Sequence, residues 1–526
     1  MSDIEEKKNE LRSKYKANKI INGDYDKSLG VKCVNGTFVG LKNGNIIEYK
    51  GIPFVGEQPV GVNRWKAPVE YTEDDTVYEA YYNAKSSYQK ESFTESASLF
   101  YQSEDCLYLN IWKNDDDIKD KPVMVWIHGG AFEMGGTIEP LHDCYNFIEE
   151  NPDVVIVTIA YRLGVFGFFH LSHLEDGADY PDAQNLGLLD QTMALKWIKE
   201  NIAGFGGDPN NITIFGESAG AASTSLLPLI DEAKSCFDKV ICQSGSPVFT
   251  RSVEQSIECS NEIMQLLDCK TVADLKKIPE KQLVDAYSTL ALRVWPERDG
   301  KLLPSDPYAA YANGECNDKI FLQGCNKDEV AYFVYCFEGP DNFNIFGRDR
   351  KARKLLQLND DEKVLMEKFY ENADGEEYEK LRKLFDQIVF IAPLFRLSED
   401  ISKSGGKSYS YYFTVESSVP LILSGHSVEL STVFNVPEVN GATGRIFDET
   451  FSKTLRKMWV QFAKTGNPSL DASEAPNGKD NIWPLYDTHN KNMMVFDEFD
   501  IHVDKESNLN ILDWDNTYFL TKYYCI

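Results

Sequence analysis

Short apolar runs alternate along this chain with stretches in which apolar residues recur at helical spacing. The runs are rich in β-branched and aromatic residues, as buried strands are. They span residues 123–127, 154–160, 211–215, 240–243, 320–324 and 408–413. Between the second and third runs, the apolar residues of 189–201 follow helical spacing. Strands that alternate with helices predict an α/β fold, with a parallel or mixed sheet covered on both faces.

The pattern predicts one large domain with a short segment before it. Residues 1–27 are charged throughout and predict a helical segment, and residues 28–526 show no internal repeat or flexible linker. A hairpin is predicted where Asn43-Gly44 separates two apolar runs. The Lys-, Glu- and Leu-rich residues 340–400 predict a mostly helical insertion.

Charge and cysteine content narrow the class of protein. The 83 acidic and 54 basic residues give a net charge of −29, which argues against nucleic acid or an anionic membrane as a partner. No apolar run approaches the roughly 18 residues that span a bilayer, and residues 1–20 lack the apolar core of a secretory signal. We therefore expect a cytoplasmic protein, a monomer or weak homo-oligomer, although a trimmed secreted form stays open. The 11 scattered cysteines favour buried thiols, although Cys259 and Cys269 are close enough in sequence to pair.

The strongest chemical signal is Gly216-x-Ser218-x-Gly220, which follows the run at 211–215 and precedes small residues suited to a helix start. This is the sequence form of a nucleophile elbow, in which a serine sits on a sharp strand-to-helix turn. The glycines are needed because the turn crowds backbone against backbone, so that a Cβ at either position would clash. Because so short a motif also arises by chance, the hypothesis needs a base, an acid and an oxyanion hole.

A serine hydroxyl is a weak nucleophile and needs a base, which is usually histidine. In hydrolases with this elbow the chain order is serine, acid, histidine, which leaves His426, His489 and His502. His426 follows a strand, and Gly425 beside it leaves access to its ring. His489 lies in a polar turn and His502 near the charged C-terminal end, where surface roles fit better. The sequence therefore favours His426.

The acid should lie between the serine and the histidine, directly after a strand, where catalytic residues of such sheets emerge. Asp328 and Glu329 follow the run at 320–324, and their spacing does not decide between them. Most other carboxylates of this acidic chain are expected to be solvated surface charges.

Acyl transfer also needs donors for the developing oxyanion. One is the backbone N–H after the nucleophile, on Ala219. The others are expected from the turn at 128–131, His-Gly-Gly-Ala, which follows the run at 123–127. Its glycines would let the backbone approach a substrate closely.

Further short motifs lie along the chain from about residue 30 onwards. They are Gly51-Ile-Pro53, Arg64-Trp65, Glu104-Asp-Cys-Leu-Tyr-Leu-Asn110, Asn185-Leu-Gly-Leu-Leu-Asp-Gln191, Phe205-Gly-Gly-Asp-Pro209, Thr213-Ile-Phe-Gly-Glu-Ser-Ala-Gly220, Asn326-Lys-Asp-Glu329, Trp459 with Phe462-Ala463, and Trp483-Pro484. Together they resemble the type-B carboxylesterase/cholinesterase family, and most of all its bacterial p-nitrobenzyl-type esterases. The resemblance implies the α/β-hydrolase fold, with a large, mostly parallel central sheet, helices on both faces and helical insertions.

For the candidate triad, the resemblance implies Glu329 rather than Asp328 as the acid and His426 as the base of Ser218. Ser244 lies in a Gln-Ser-Gly-Ser block and resembles a residue that supports the acid.

The family's three oxyanion donors match Gly130, Ala131 and Ala219, which leaves Gly129 in a supporting position. The family's mechanism requires no metal or organic cofactor, so we expect none here.

The chain also departs from secreted relatives. They pair the cysteine that matches Cys106 with one upstream, where this chain has Ser-Ser-Tyr-Gln at 86–89, so we expect a free Cys106 in a reducing compartment. Residues 87–106 contain no tryptophan that could match the choline-binding one of cholinesterases, so choline esters are not expected as preferred substrates. Arg251 aligns near an acyl-pocket position. We expect a surface arginine there, and the alternative is a residue that favours an acidic or polar acyl group.

The sequence thus predicts a serine carboxylesterase that hydrolyses uncharged carboxylic esters through an acyl-enzyme on Ser218. One alternative is a lipase-like esterase that acts at lipid interfaces, although no amphipathic lid is evident. The other is a non-catalytic, adhesion-type binding protein of the same fold, which the intact set of Ser218, Glu329 and His426 disfavours.

Overall fold

The computed structural model describes residues 2–92, 95–290, 294–336, 339–342, 364, 367–368, 371–437 and 442–509. The backbone divides into two compact units, one of residues 1–240 and 249–307, the other of residues 241–248 and 308–526. Each is described below by itself. That residues 28–526 form a single domain stays a prediction.

The first unit contains two sheets. Its strands are β1 (Gly30–Cys33), β2 (Asn35–Val39), β3 (Leu41–Asn43), β4 (Ile46–Pro53), β5 (Asp74–Glu79), β6 (Tyr108–Asn114), β7 (Lys121–Ile127), β8 (Val155–Ile159) and β9 (Gly207–Glu217). Strands β1, β2 and β5 form the small sheet, and the larger one has the order β9-β7-β8-β6-β4-β3. Strands β8, β7 and β9 are parallel, with Val125 level with Val157 and Ile214, whereas β6, β4 and β3 pair antiparallel. The parallel strands carry the apolar runs because neighbours cover both of their faces.

The α-helices of this unit connect and cover the strands. They span Ser2–Ser13, Ser96–Leu99, Tyr145–Glu150, Gly164–Gly167, Leu186–Asn201, Ala219–Leu226, Asp231–Lys234, Val253–Leu266, Val272–Leu275 and Glu280–Thr289. The helix predicted at 189–201 begins at Leu186 and buries most of its length. The predicted hairpin is confirmed as β3–β4, with Gly44 at a φ of 58° in its turn.

The N-terminal helix is shorter than predicted. It ends at Ser13, and residues 15–19 that follow its last turn are neither helix nor strand. The Asn18 side chain explains why, because its amide donates to the carbonyls of Lys50 and Tyr82 while its Oδ1 accepts the N–H groups of Tyr81 and Tyr82. Side-chain bonds of this kind offer the backbone an alternative to a helix.

Strand β10 (Lys239–Gln243) crosses from the first unit into the second, and the helix Pro307–Ala312 begins at the other division. The second unit has strands β11 (Ile320–Asn326), β12 (Lys407–Phe413), β13 (Asn492–Asp497) and β14 (Asp500–Lys505). The pairs β11–β12 and β12–β13 are parallel and β13–β14 is antiparallel, with Gly324 level with Tyr411 and Tyr411 level with Met494.

The helices of the second unit include part of the predicted insertion. In the described residues they span Ala331–Cys336, Glu377–Phe385, Ala392–Lys403, Leu430–Val433 and Glu449–Thr465, with a π-helical segment at Asp386–Ile391. The insertion predicted at 340–400 is therefore helical from residue 377 onwards, and its part at 343–363 lies outside the described residues. None of the helices that the structure describes has the length and apolar character to cross a membrane.

The ten cysteines in the described part of the chain form no disulfide, and all of them except Cys336 are buried. No disulfide joins Cys259 to Cys269, and the Sγ of Cys106 accepts a hydrogen bond from Ser87 Oγ at 3.1 Å. Burial raises the pKa of Cys106 to about 12, so it stays a thiol. The prediction of buried thiols is confirmed for the nine buried cysteines, and it is wrong for Cys336, which is exposed.

Candidate active site

Ser218 occupies a strained corner between a strand and a helix. Strand β9 ends at Glu217, the helix Ala219–Leu226 follows, and Ser218 between them has φ 57° and ψ −123°. A non-glycine residue in such a conformation costs on the order of 1–3 kcal/mol, and strain of this kind is concentrated at functional sites. The sharp strand-to-helix turn that the sequence predicted at Ser218 is therefore confirmed, and the role of Ser218 as nucleophile stays a prediction.

The two glycines of the motif are needed for the reason given above. A Cβ on Gly220 would lie 2.0 Å from the carbonyl oxygen of Ile127, and a Cβ on Gly216 would lie 2.5 Å from the carbonyl carbon of Gly220. Both neighbours are backbone atoms of the corner, so they cannot move aside without opening it.

The glycine-rich turn at 128–131 lies against the serine. A Cβ on Gly129 would lie 3.1 Å from the Cβ of Ser218 and 2.7 Å from the carbonyl oxygen of Glu217. Gly130 has a φ of 96°, and a Cβ there would lie 2.3 Å from the carbonyl oxygen of Met134. The turn thus approaches Ser218 as closely as its backbone allows.

The hydrogen bonds of this turn orient the peptide that carries the Ala131 N–H. The carbonyl of Gly130 accepts the N–H groups of Glu133 and Met134, each at 2.9 Å. Because a trans peptide is planar, the Ala131 N–H on the same peptide points to the opposite side. The carbonyl of Ala131 accepts the Trp295 indole N–H at 3.0 Å, which fixes the next peptide as well.

The third expected donor, the N–H of Ala219, belongs to the first residue of its helix. The first N–H groups of a helix have no intrahelical acceptor, so this donor is available to a ligand. It follows the Ser218 peptide directly, which makes it a near neighbour of the hydroxyl.

His128 supports the turn, a role that the sequence did not predict. Its ring stacks on Tyr161 with centroids 4.5 Å apart, and the Tyr161 hydroxyl donates to the His128 carbonyl at 2.8 Å. Burial lowers the pKa of His128 to about 4, so the ring is neutral at pH 7. Its Nδ1 lies 2.9 Å from the Gly129 carbonyl oxygen and donates to it, since a carbonyl only accepts. The only sequence feature that could have indicated this role is the position of His128 at the start of the turn.

His426 and Glu329 form a buried pair in the second unit. The His426 Nδ1 lies 2.6 Å from Glu329 Oε2, and the His426 backbone N–H donates to the Glu329 carbonyl at 3.0 Å. A carboxylate only accepts hydrogen bonds, so Nδ1 carries the proton and Nε2 keeps its lone pair. A base in a serine hydrolase requires this tautomer.

The neighbouring carboxylate has a different partner. Asp328 Oδ1 accepts a hydrogen bond from Arg382 Nη1 at 2.9 Å, and the same nitrogen lies 2.8 Å from Asp386 Oδ2. Burial raises the pKa of Asp386 to about 8, against the opposing effect of the Arg382 guanidinium. The two carboxylates that spacing left open thus differ clearly in what they contact.

Asn326, which sequence reasoning named only as part of a family block, bonds Glu329 and the residue before His426. Its backbone N–H donates to Glu329 Oε1 at 2.7 Å, and its amide donates to the Gly425 carbonyl at 2.7 Å and to Glu429 Oε2 at 2.8 Å. Glu429 is itself bonded by Gln243 Nε2 at 3.0 Å. These residues were detectable only as polar side chains next to predicted strands.

Aromatic rings surround the imidazole of His426. The ring centroids of Phe390, Phe333 and Tyr332 lie 4.9, 5.4 and 6.5 Å from its own. An apolar wall excludes water and strengthens the carboxylate–imidazole interaction. His489 and His502 are exposed, as the sequence predicted.

Two other predicted residues lie in surroundings that the sequence did not foresee. Ser244 is buried with a φ of 57°, its N–H donates to the Gly324 carbonyl at 2.8 Å, and its hydroxyl bonds no residue that the structure describes. Its supporting role stays a prediction. Arg251 is 8% exposed rather than a surface residue, and its Nε likewise has no partner within the described ranges. The expectation of a surface arginine was wrong, because spacing within a loop does not reveal burial.

The structure thus contains a strained serine against a glycine turn in the first unit, and a buried carboxylate–histidine pair in the second. A serine hydrolase of the α/β class requires residues of these kinds. The chain matches the model of the Carboxylesterase family over residues 28–511, and it belongs to that family.

Relatives and solved structures agree with this membership. The chain is 35% identical over 506 residues to the para-nitrobenzyl esterase of Bacillus subtilis (strain 168), covering 90% of this chain and 96% of that protein. It is 31% identical over 507 residues to the acetylcholinesterase of Bungarus fasciatus, covering 88% and 81%. The carboxylesterase EST55 of Geobacillus stearothermophilus superposes with a TM-score of 0.78 at 32% identity, covering 91% of this chain and 98% of that one. A thermophilic PNB esterase superposes with a TM-score of 0.79 at 30% identity, covering 92% and 99%. The predicted fold and family are confirmed, and the chain is a carboxylic ester hydrolase.

Proposed function

We propose that this carboxylesterase hydrolyses uncharged carboxylic esters through an acyl-enzyme on Ser218. The observation that carries the proposal is the strained Ser218 corner, with the Gly129 turn against its side chain. A structural serine needs neither the strain nor the close backbone approach. An enzyme needs both, because the hydroxyl must stand clear of the sheet beside donors for an oxyanion.

In the first half-reaction, Ser218 Oγ attacks the ester carbonyl carbon while His426 Nε2 takes the hydroxyl proton. The carbonyl oxygen becomes an oxyanion, which the backbone N–H groups of Gly130, Ala131 and Ala219 stabilise. His426 then gives its proton to the leaving alkoxide, and the alcohol departs from the acyl-enzyme.

In the second half-reaction, water replaces the alcohol. His426 takes a proton from the water as its oxygen attacks the acyl carbon, and the same N–H groups stabilise the second oxyanion. The proton then returns to Ser218 Oγ, and the acid is released. Glu329 keeps the Nδ1–H tautomer throughout and stabilises the imidazolium that forms in each half-reaction.

The test compares Ser218→Ala with substitution of a matched serine in the helix that follows it. Ser225 is buried, and its hydroxyl donates to the Ala222 carbonyl at 2.7 Å, so Ser225→Ala removes a hydroxyl from the same segment. With p-nitrophenyl acetate and butyrate, we expect Ser218→Ala to lose on the order of 10⁶-fold in kcat, as when a triad serine is removed. We expect Ser225→Ala to keep most of the wild-type rate. A folded Ser218→Ala protein with near-wild-type turnover would contradict the proposal.

Two further experiments test which esters the enzyme prefers. We expect no jump in rate when a long-chain ester passes its micelle threshold, and a jump would favour the lipase-like alternative. A panel of p-nitrophenyl esters of varied acyl length and charge would define the acyl group, because pocket loops vary most within such folds.

We also propose that the protein works in a reducing compartment, the cytoplasm, as a monomer or weak homo-oligomer. The free thiols described above support the first part, since a disulfide framework is usual in small secreted domains. Alkylation of the denatured protein without reductant should label its cysteines fully, and light scattering should give the mass of one chain at low concentration.

A further inference from the structure

A second serine–histidine–carboxylate chain lies in the first unit and uses none of the residues proposed above. Ser172 Oγ lies 3.1 Å from His170 Nε2, and His170 Nδ1 lies 2.7 Å from Glu297 Oε2. A serine within hydrogen-bond reach of a base that a third group orients is the arrangement that activates a nucleophile. Sequence reasoning missed it because Glu297 lies 127 positions beyond His170 and belongs to no motif.

The carboxylate of this chain is rigidly held. Glu297 is 1% exposed, its N–H donates to Asn185 Oδ1 at 2.8 Å, and its carbonyl accepts from Asn185 Nδ2 at 2.9 Å. A parallel bridge to Arg251 holds the same segment on its other edge. A buried carboxylate on a fixed backbone keeps its partner in one orientation.

The histidine is held equally well. His170 is 7% exposed, and its carbonyl accepts the Ser260 hydroxyl at 2.6 Å. Because Glu297 accepts at Nδ1, the tautomer with the proton on Nδ1 leaves Nε2 to accept from the Ser172 hydroxyl. His173 packs beside the ring at 5.2 Å, with its Nε2 turned to Asn261 Oδ1 at 3.0 Å. A metal site does not explain the cluster, because the described residues contain no group of ligands that could hold an ion.

The serine differs from structural serines in being open to solvent. Ser172 is exposed in a turn that the Leu174 N–H closes onto the Leu171 carbonyl at 3.0 Å. Ser260, in contrast, is completely buried, and its hydroxyl donates to the His170 carbonyl. The Ser172 hydroxyl can therefore meet a dissolved reagent while its base stays desolvated.

We propose that Ser172 is a second nucleophile, activated by His170 and Glu297, which reacts with small activated acyl and phosphonyl compounds. With an aryl ester, Oγ bonds to the carbonyl carbon and its proton passes to His170 Nε2. The bond to the phenol oxygen breaks, and the phenolate leaves or takes that proton. With a fluorophosphonate, the Oγ–P bond forms, the P–F bond breaks, fluoride leaves and the proton passes from His170 to water.

The experiment measures labelling of Ser172 by a small fluorophosphonate in the Ser218→Ala protein. This background removes the candidate active-site serine, so the result does not depend on whether Ser218 is the esterase nucleophile. The internal reference is Ser235, an exposed serine whose hydroxyl contacts the Cys236 sulfur rather than a histidine. Peptide mass spectrometry follows the phosphonyl mass on each serine with time.

We expect Ser172 to be labelled about a hundredfold faster than Ser235, which is the low end of general-base catalysis. Adding Ser172→Ala should abolish the fast label, and this change removes only one exposed hydroxyl. Adding His170→Gln or Glu297→Gln, each checked by near-ultraviolet circular dichroism, should reduce the Ser172 rate to that of Ser235. Equal rates at the two serines would overturn the proposal, and so would a Ser172 rate that a folded His170→Gln protein leaves unchanged.

Discussion

The neighbouring carboxylates Asp328 and Glu329 offer a matched pair of substitutions with opposite consequences. In Glu329→Gln the amide oxygen can still accept the Asn326 N–H that now bonds Oε1 at 2.7 Å. The NH₂ group replaces Oε2, which lies 2.6 Å from His426 Nδ1. Because NH₂ cannot accept the Nδ1 proton, the ring shifts to the Nε2–H tautomer and can no longer take a proton from Ser218. The same change in a serine protease triad lowers kcat about 10⁴-fold, which equals about 5 kcal/mol of transition-state stabilisation.

Asp328→Asn affects stability instead. Its amide oxygen keeps the contact with Arg382, whose Nη1 retains Asp386 at 2.8 Å. Weakening a buried hydrogen bond to a charged group costs about 1–3 kcal/mol of unfolding free energy. We expect kcat within about threefold of wild type, since no catalytic hydrogen bond is lost. The assay is kcat on p-nitrophenyl butyrate, with urea unfolding of each variant. A larger loss of kcat in Asp328→Asn than in Glu329→Gln would refute the reasoning.

Three further predictions concern acid stability, backbone crowding and a buried charge. The His128 side chain has a pKa of about 4 in the folded protein, against 6.5 in the unfolded chain. The unfolded chain therefore binds a proton first as the pH falls. The contribution of neutral His128 to the unfolding free energy is complete above pH 6.5 and is lost as the pH falls to 4. This loss is about 3 kcal/mol, and urea unfolding should show a shallower pH dependence in His128→Gln. Gly220→Ala should abolish activity and lower the unfolding free energy by about 3 kcal/mol or more, because its Cβ would lie 2.0 Å from a backbone oxygen. Arg251→Met should stabilise the fold by about 1 kcal/mol or more, since it removes a buried cation whose Nε bonds no described residue.

Each of these has its own control. Gly23→Ala introduces a Cβ with nothing within 4 Å and should leave stability unchanged, so equal effects at both glycines would contradict the crowding argument. An unchanged pH slope in His128→Gln would show that another group governs acid unfolding. A destabilised Arg251→Met would show that the guanidinium has a partner outside the described ranges.

The apolar runs and glycine motifs predicted much of the fold because they reflect local physics. Short apolar runs rich in β-branched and aromatic residues are typical of central strands, which are buried on both faces, and β7, β8, β9, β11 and β12 follow the predicted runs. The Ser218 corner was equally readable, since only glycine tolerates the contacts at positions 216 and 220.

Hydrogen-bond partners that lie far apart in the sequence could not be predicted from it. Asn326 reaches Glu429 across 103 positions, and Glu297 reaches His170 across 127. Such pairs depend on tertiary packing, which leaves no periodicity in the sequence. The choice of Glu329 over Asp328 depended on family resemblance for the same reason.

The most direct test of the central claim is the mass of the enzyme during its first turnover. Wild-type protein is mixed with excess p-nitrophenyl butyrate, and the reaction is quenched in acid within milliseconds. The protein is then digested, and mass spectrometry measures the mass of the peptide that contains residues 211–220. We predict one butyryl group on Ser218 that appears with the burst of p-nitrophenol and decays as substrate is exhausted. Steady turnover with no butyryl group on Ser218 at any quench time would contradict the account.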